Sequence, residues 1–159
     1  VPKITVSKEQ ISGFPVAPEG VYEVRLDSFR PAKVGAKAKD QNSVNLKPAL
    51  KIVNSQDFND QFAGWENLNT GCWYLVDFAH CFGEPMIDVG GGNISLPGEF
   101  IGPDDDPSKW QYVGPLAGKV GKVYLKVGKD QNNKDCNVID HYFCALPGCQ
   151  EKHSAHLVK

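Results

Sequence analysis

Asn69-Thr70-Gly71-Cys72-Trp73-Tyr74-Leu75-Val76-Asp77-Phe78-Ala79-His80-Cys81-Phe82-Gly83 is the stretch on which the fold turns. Cys72, Leu75, Val76, Ala79 and Phe82 recur at helical spacing. Asn69 or Thr70 supplies an N-cap, and Gly83 and Pro85 end the run. The segment is short and apolar almost all round, which predicts a buried helix. Its neighbours have the period of strands. Ahead of it, Tyr22, Val24, Leu26 and Ser28 alternate with Glu23, Arg25, Asp27 and Phe29 after the turn signal Pro18-Glu19-Gly20. Val44, Leu46, Leu50 and Ile52 then alternate with Asn45, Lys47, Ala49 and Lys51, and Pro48 predicts an edge or a bulge there. Gln61–Leu68, carrying Phe62 and Trp65, reads as a third strand.

Beyond the helix, residues 84–118 are rich in Gly and Pro and read as an insertion with one hairpin, tipped by Gly90-Gly91-Gly92. A fourth strand runs from Lys119 to Gly128, with Val123, Leu125 and Val127 inward. A polar turn at Asp130–Asp135 leads to a fifth, Cys136–Cys144. Residues 1–19 form an N-terminal arm and 145–159 a tail, around a single domain of 159 residues. Three strands, a helix and two strands predict a mainly β protein. The specific expectation is a five-stranded OB-fold-like Greek-key barrel with one short helix between strands three and four. The 16 glycines and 11 prolines favour this turn-rich reading over a helical bundle. No apolar run approaches the roughly 18 residues of a membrane helix, so no membrane partner is expected.

A formal net charge of −2 hides a strong segregation. Arg25 to Lys51 holds seven basic residues and two acids, and Ile52 to Ser108 holds ten acids and no Lys or Arg. Lys109 to Lys134 holds six lysines and one acid. Local patches, not the total, set the field a partner meets. In an OB layout the two basic segments flank one groove.

Pro18-Glu19-Gly20-Val21-Tyr22-Glu23-Val24-Arg25-Leu26 and Asn45-Leu46-Lys47-Pro48-Ala49-Leu50-Lys51-Ile52 resemble bacteriophage single-stranded DNA-binding proteins of the OB-fold type. Gly121-Lys122-Val123-Tyr124-Leu125 and Asn137-Val138-Ile139 are similar to their closing hairpin. The resemblance covers residues 20–67 and 119–144. It implies sequence-independent binding of single-stranded DNA in phage replication or recombination, in the cytoplasm of the infected host. Replication or recombination proteins would be further partners. Several members end in an acidic tail that recruits partners, whereas this sequence ends in Glu151-Lys152-His153-Ser154-Ala155-His156-Leu157-Val158-Lys159.

Binding single strands without sequence preference needs cations along the phosphates and rings against the bases. The candidates are Arg30, Lys33, Lys37, Lys39, Lys47, Lys51, Lys122 and Lys126, with Phe29, Trp65, Tyr124 and Tyr142 for stacking; for each ring the alternative is core packing. The reading requires the cations to converge on one surface, rings among them and carboxylates turned away. Five cysteines make a fully paired framework unexpected and favour a reducing compartment. Cys144, Cys149, His153 and His156 have the donor chemistry of zinc but not the spacing of a standard finger; otherwise no cofactor is expected. No catalytic constellation stands out, so the expectation is a binding protein, not an enzyme. The rivals are a carbohydrate- or protein-binding β-module, with Trp65, Trp73 and Trp110 on sugar rings, and a structural phage adaptor.

Overall fold

The computed structural model describes residues 16–37, 43–64, 66–70 and 74–146. Strands β1 (Gly20–Lys33) and β2 (Val44–Val53) pair antiparallel along most of their length. β3 is reduced to Leu68–Asn69, and α1 (Tyr74–Cys81) follows. Two hairpins fill the insertion: β4 (Ile87–Gly90) with β5 (Asn93–Ser95), and β6 (Glu99–Ile101) with β7 (Gln111–Val113). β8 (Val120–Lys129) and β9 (Asp135–Tyr142) complete the main sheet, whose order is β3-β2-β1-β8-β9.

The mainly β class and the single short helix agree with expectation, and the closed barrel does not. Among the described residues no ladder joins β3 to β9, so the sheet is open. The reason lies in the expected third strand. Gln61–Ala63 does pair with β2, through the Lys51–Phe62 bridge and the bond from Ala63 N–H to Leu50 O at 2.9 Å. The chain then leaves the ladder to cross to β9. Gly64 has φ +142°, and a Cβ there would lie 2.5 Å from the Asn137 carbonyl oxygen. Two residues on, the Tyr142 hydroxyl donates to Glu66 Oε2 at 3.0 Å. The Asn137 side chain holds Ala17 at both ends of its backbone, accepting from its N–H at 2.9 Å and donating to its carbonyl at 2.8 Å. The chain between β2 and β3 thus meets β9 through the close backbone approach at Gly64 and the Glu66–Tyr142 bond, and Asn137 separately ties the segment before β1 to β9.

Two bulges set which residues face inward. Leu26 pairs with Leu50 but Ser28 with Ala49, so Asp27 is an extra residue in β1. Leu125 pairs with Ile139 but Tyr124 with His141, so Asp140 is an extra residue in β9. Past each bulge the alternation inverts. Phe29 and Tyr142 consequently turn inward, 6% and 1% exposed. Pro48 lies opposite Phe29, past the β1 bulge and between the two stretches where β2 finds a partner on its other side.

α1 packs its Phe78 into this interior, 5.6 Å from the Phe29 ring and 5.4 Å from that of Tyr142. Its C-terminal end lies directly on β8: a Cβ at Gly121 would come within 2.6 Å of Cys81 Sγ. The insertion closes the core from the other end, with Phe100 and Tyr112 at 5.7 and 5.0 Å from Phe29. Burying a ring such as Phe78 completely stabilises by about 3–5 kcal/mol on the scale of Phe→Ala truncations.

Candidate nucleic-acid interface

Directly paired residues on antiparallel strands project to the same side of a sheet. Arg30 pairs with Lys47 and Arg25 with Lys51 on β1–β2. Across β1, Glu23 pairs with Lys122 and Val21 with Tyr124; across β8, Tyr124 pairs with His141 and Lys126 with Val138. Arg30, Lys47, Lys51, Lys122, Tyr124 and Lys126 therefore share the outer face, although they come from segments some seventy residues apart.

The remaining candidates do not join them. Phe29 and Tyr142 are core residues, because the bulges at Asp27 and Asp140 shift their parity. Lys33 lies opposite Val44 on the other face; the Ser108 hydrogen bonds hold the Asp106 carboxyl low, with Lys109 and then Lys33 adding less. Lys37 is exposed in the loop after β1. Lys39 and Trp65 lie outside the described residues, as do Cys149, His153 and His156 of the proposed zinc cluster. Cys144 is disulfide-bonded, a pairing the odd cysteine count did not anticipate and one that denies a metal its thiolate. Among the described residues, no group of three or more His, Cys, Asp or Glu side chains could hold a metal ion, and no helix is long and apolar enough to cross a membrane.

Three further residues belong to the face. His141 stacks on Tyr124 with ring centroids 5.4 Å apart and planes 14° apart. Phe62 is 49% exposed, with Lys51 Nζ 5.6 Å from its ring centroid. Arg25 lies beside Lys51. The parity of β9 past its bulge hid His141, and the broken third strand hid Phe62; its pairing with β2 was the available signal.

The carboxylates are not all turned away. Asp27, at the first bulge, accepts from Arg25 Nε at 2.6 Å and lies 3.6 Å from Lys51 Nζ. The Arg25 hydrogen bond holds the Asp27 carboxyl below the usual range, and Asp27 in turn raises the guanidinium. Asp140, at the second bulge, bonds His141 Nδ1 at 2.7 Å and Lys126 Nζ at 3.2 Å. His141 first and Lys126 second hold the Asp140 carboxyl low, and Asp140 raises the Lys126 ammonium. Lys47 and Lys122 make no ion pair among the described residues. Glu23, directly opposite Lys122, shares the face and accepts from Asn54 Nδ2 at 2.6 Å. The face thus combines lysines outside any ion pair among the described residues, cations with a resident counter-ion, and rings.

No family model, curated protein or solved structure matches the chain.

Proposed function

We propose that the protein is a sequence-independent single-stranded DNA-binding protein that lays the strand across the outer face of its sheet, as a binding protein and not an enzyme. The carrying observation is that Lys122 and Lys126 flank the Tyr124–His141 stack on the same outer face that carries Arg25 and Lys51 and, towards the far end of β1–β2, Arg30 and Lys47. Ammonium groups neutralise phosphates, and the rings give bases of any identity a surface to stack on. The order β3-β2-β1-β8-β9, with a helix between the third strand and the next strand of the sheet, supports an OB-fold whose closing ladder is replaced by the contacts of Gly64 and Glu66 with β9. With the resemblance of its strands to phage proteins, this favours a role in phage replication or recombination, alongside the proteins of those processes; the Cys144 disulfide speaks against the reducing compartment expected from the cysteine count.

Fluorescence titration of labelled oligo-dT against salt tests the proposal. Single strands release counter-ions with a slope of about −0.7 per phosphate neutralised, so three to five contacts give about −2 to −3.5 in log K against log salt. Duplex DNA should compete poorly, because it keeps its base faces stacked away from the rings. A flat salt response, no binding at low salt, or equal affinity for duplex would overturn it.

A further inference from the structure

On the side of the sheet opposite the lysines, a cleft of about 510 Å³ opens between the start of β2, α1 and both insertion hairpins. Leu46, Val76, Ile94, Leu96, Phe100 and Trp110 are among the residues that line it. Its polar groups are engaged within the protein. Thr70 Oγ1 accepts from Val44 N–H at 2.9 Å, Ser95 Oγ donates to the Leu96 carbonyl, and Trp110 Nε1 donates to the Pro103 carbonyl. An occupant therefore meets a mainly apolar wall, with the Thr70 O–H and the Ser95 Oγ lone pairs as its polar points. The volume is within the roughly 300–1,000 Å³ of clefts that take specific ligands.

The surroundings reach further than a small molecule would. Ile87, Val89, Ile101 and Val113 on the same hairpins are 48–60% exposed. Each hairpin is a two-stranded sheet whose outer edges pair with no strand among the described residues, and onto such an edge an extended chain can add. The charge is one-sided. Lys109 and Lys119 are engaged by Asp106 and Glu84, while Asp88, Glu99, Asp104 and Asp105 are exposed without an ion pair among the described residues. Lys33, opposite Val44, is the cation that faces this side from β1.

We infer that this cleft docks a partner protein through an extended basic–apolar peptide: one Leu or Phe side chain enters the cleft, and flanking Lys or Arg residues meet the hairpin carboxylates. The complementarity is the reverse of that offered by an acidic recruiting tail. Because the cleft and the lysine face lie on opposite sides of the sheet, the inference stands whether or not the outer face binds DNA.

Fluorescence anisotropy of a dye-labelled synthetic decapeptide, with one Phe flanked by lysines, tests it against a matched peptide carrying Glu for Lys. The Lys peptide should saturate, and the Glu peptide should bind at least about tenfold more weakly at low salt. Ile94→Arg should weaken the Lys peptide about tenfold, the effect of blocking an anchor pocket. Ile94 is 51% exposed, so its melting temperature should hold. Glu99→Lys, at an exposed position, should weaken the Lys peptide and strengthen the Glu peptide. Equal binding of the two peptides, no saturation, or insensitivity to both substitutions would overturn the inference.

Discussion

Replacing Asn137 with Ala removes both bonds that join Ala17 to β9 and should destabilise the protein by about 2–4 kcal/mol. The magnitude comes from the burial. Ala17 is 0% and Asn137 7% exposed, so water does not readily replace the amide. A buried donor or acceptor left without a partner costs about 1–3 kcal/mol, and here one N–H and one carbonyl lose theirs. The two losses together span about 2–6 kcal/mol, and whatever water enters the vacated volume keeps the total in the lower half of that span. For a chain of this length about 2–4 °C of melting temperature is lost per kcal/mol. Urea denaturation read by far-UV circular dichroism should show a lower midpoint at unchanged slope. Asn137→Asp adds a sharper test. Above its pKa the new carboxylate still accepts from Ala17 N–H but cannot donate to the carbonyl, and its charge is buried. Burial raises that carboxyl, so the neutral acid, which can donate, is favoured in the fold. The deficit of Asn137→Asp should therefore shrink as pH falls through the raised value and be smallest below the unfolded one. An Asn137→Ala variant within about 0.5 kcal/mol of the parent would refute the anchoring of the segment before β1 on β9.

Gly64→Ala should cost about 2–4 kcal/mol in the same denaturation assay, because φ +142° and a backbone oxygen 2.5 Å from the new Cβ leave nothing soft to move. Glu66 is raised by burial, against the opposing pull of the Tyr142 hydroxyl, so its stability contribution is greatest below the unfolded value of about 4.5 and is lost as pH rises through the folded one. Glu66→Gln should accordingly gain stability relative to the parent between acid and neutral pH, and a pH-independent difference would contradict this. The Cys81 thiol, pushed up to about 12 by burial, should react with Ellman's reagent only on unfolding, while half-buried Cys136 reacts in the folded protein. On the outer face, Lys122→Ala should flatten the salt slope by about 0.7, whereas Tyr124→Ala should lose about 1–3 kcal/mol of oligo-dT binding at unchanged slope.

The alternation of Tyr22–Leu26 and of Lys122–Lys126 was readable because each stretch is a half-buried strand without an irregularity. The helix was readable because a short apolar run with a stop at Gly83 has few other solutions. What was not readable has one main cause. A bulge marks a hydrophobic pattern only as a one-residue slip of phase, from Leu26 to Phe29 and from Ile139 to Tyr142, and so short a run past each slip does not single out Asp27 or Asp140 as the extra residue. Phe29 and Tyr142 were therefore assigned to the wrong face, and His141 was missed. The insertion strands, of three or four residues, are too short for a period to register. The lysine face was legible as charge segregation, but its resident counter-ions were not, since they sit at those same bulges.

Asp27 and Asp140 also constrain how the gene can vary. Losing the single codon at either place would close the bulge into a regular ladder, Leu26–Ser28–Phe29 against Leu50–Ala49–Pro48 or Ile139–His141–Tyr142 against Leu125–Tyr124–Val123, and keep the ring inward. A codon gained or lost elsewhere between the bulge and the ring's partners would instead turn Phe29 or Tyr142 out into water. Hairpin tips such as Gly91–Gly92 tolerate changes in length because no downstream parity depends on them. Reading frame in the nucleotide sense is thus joined here by a second, two-residue frame in the protein, and each of these aspartates is the position at which that frame is set.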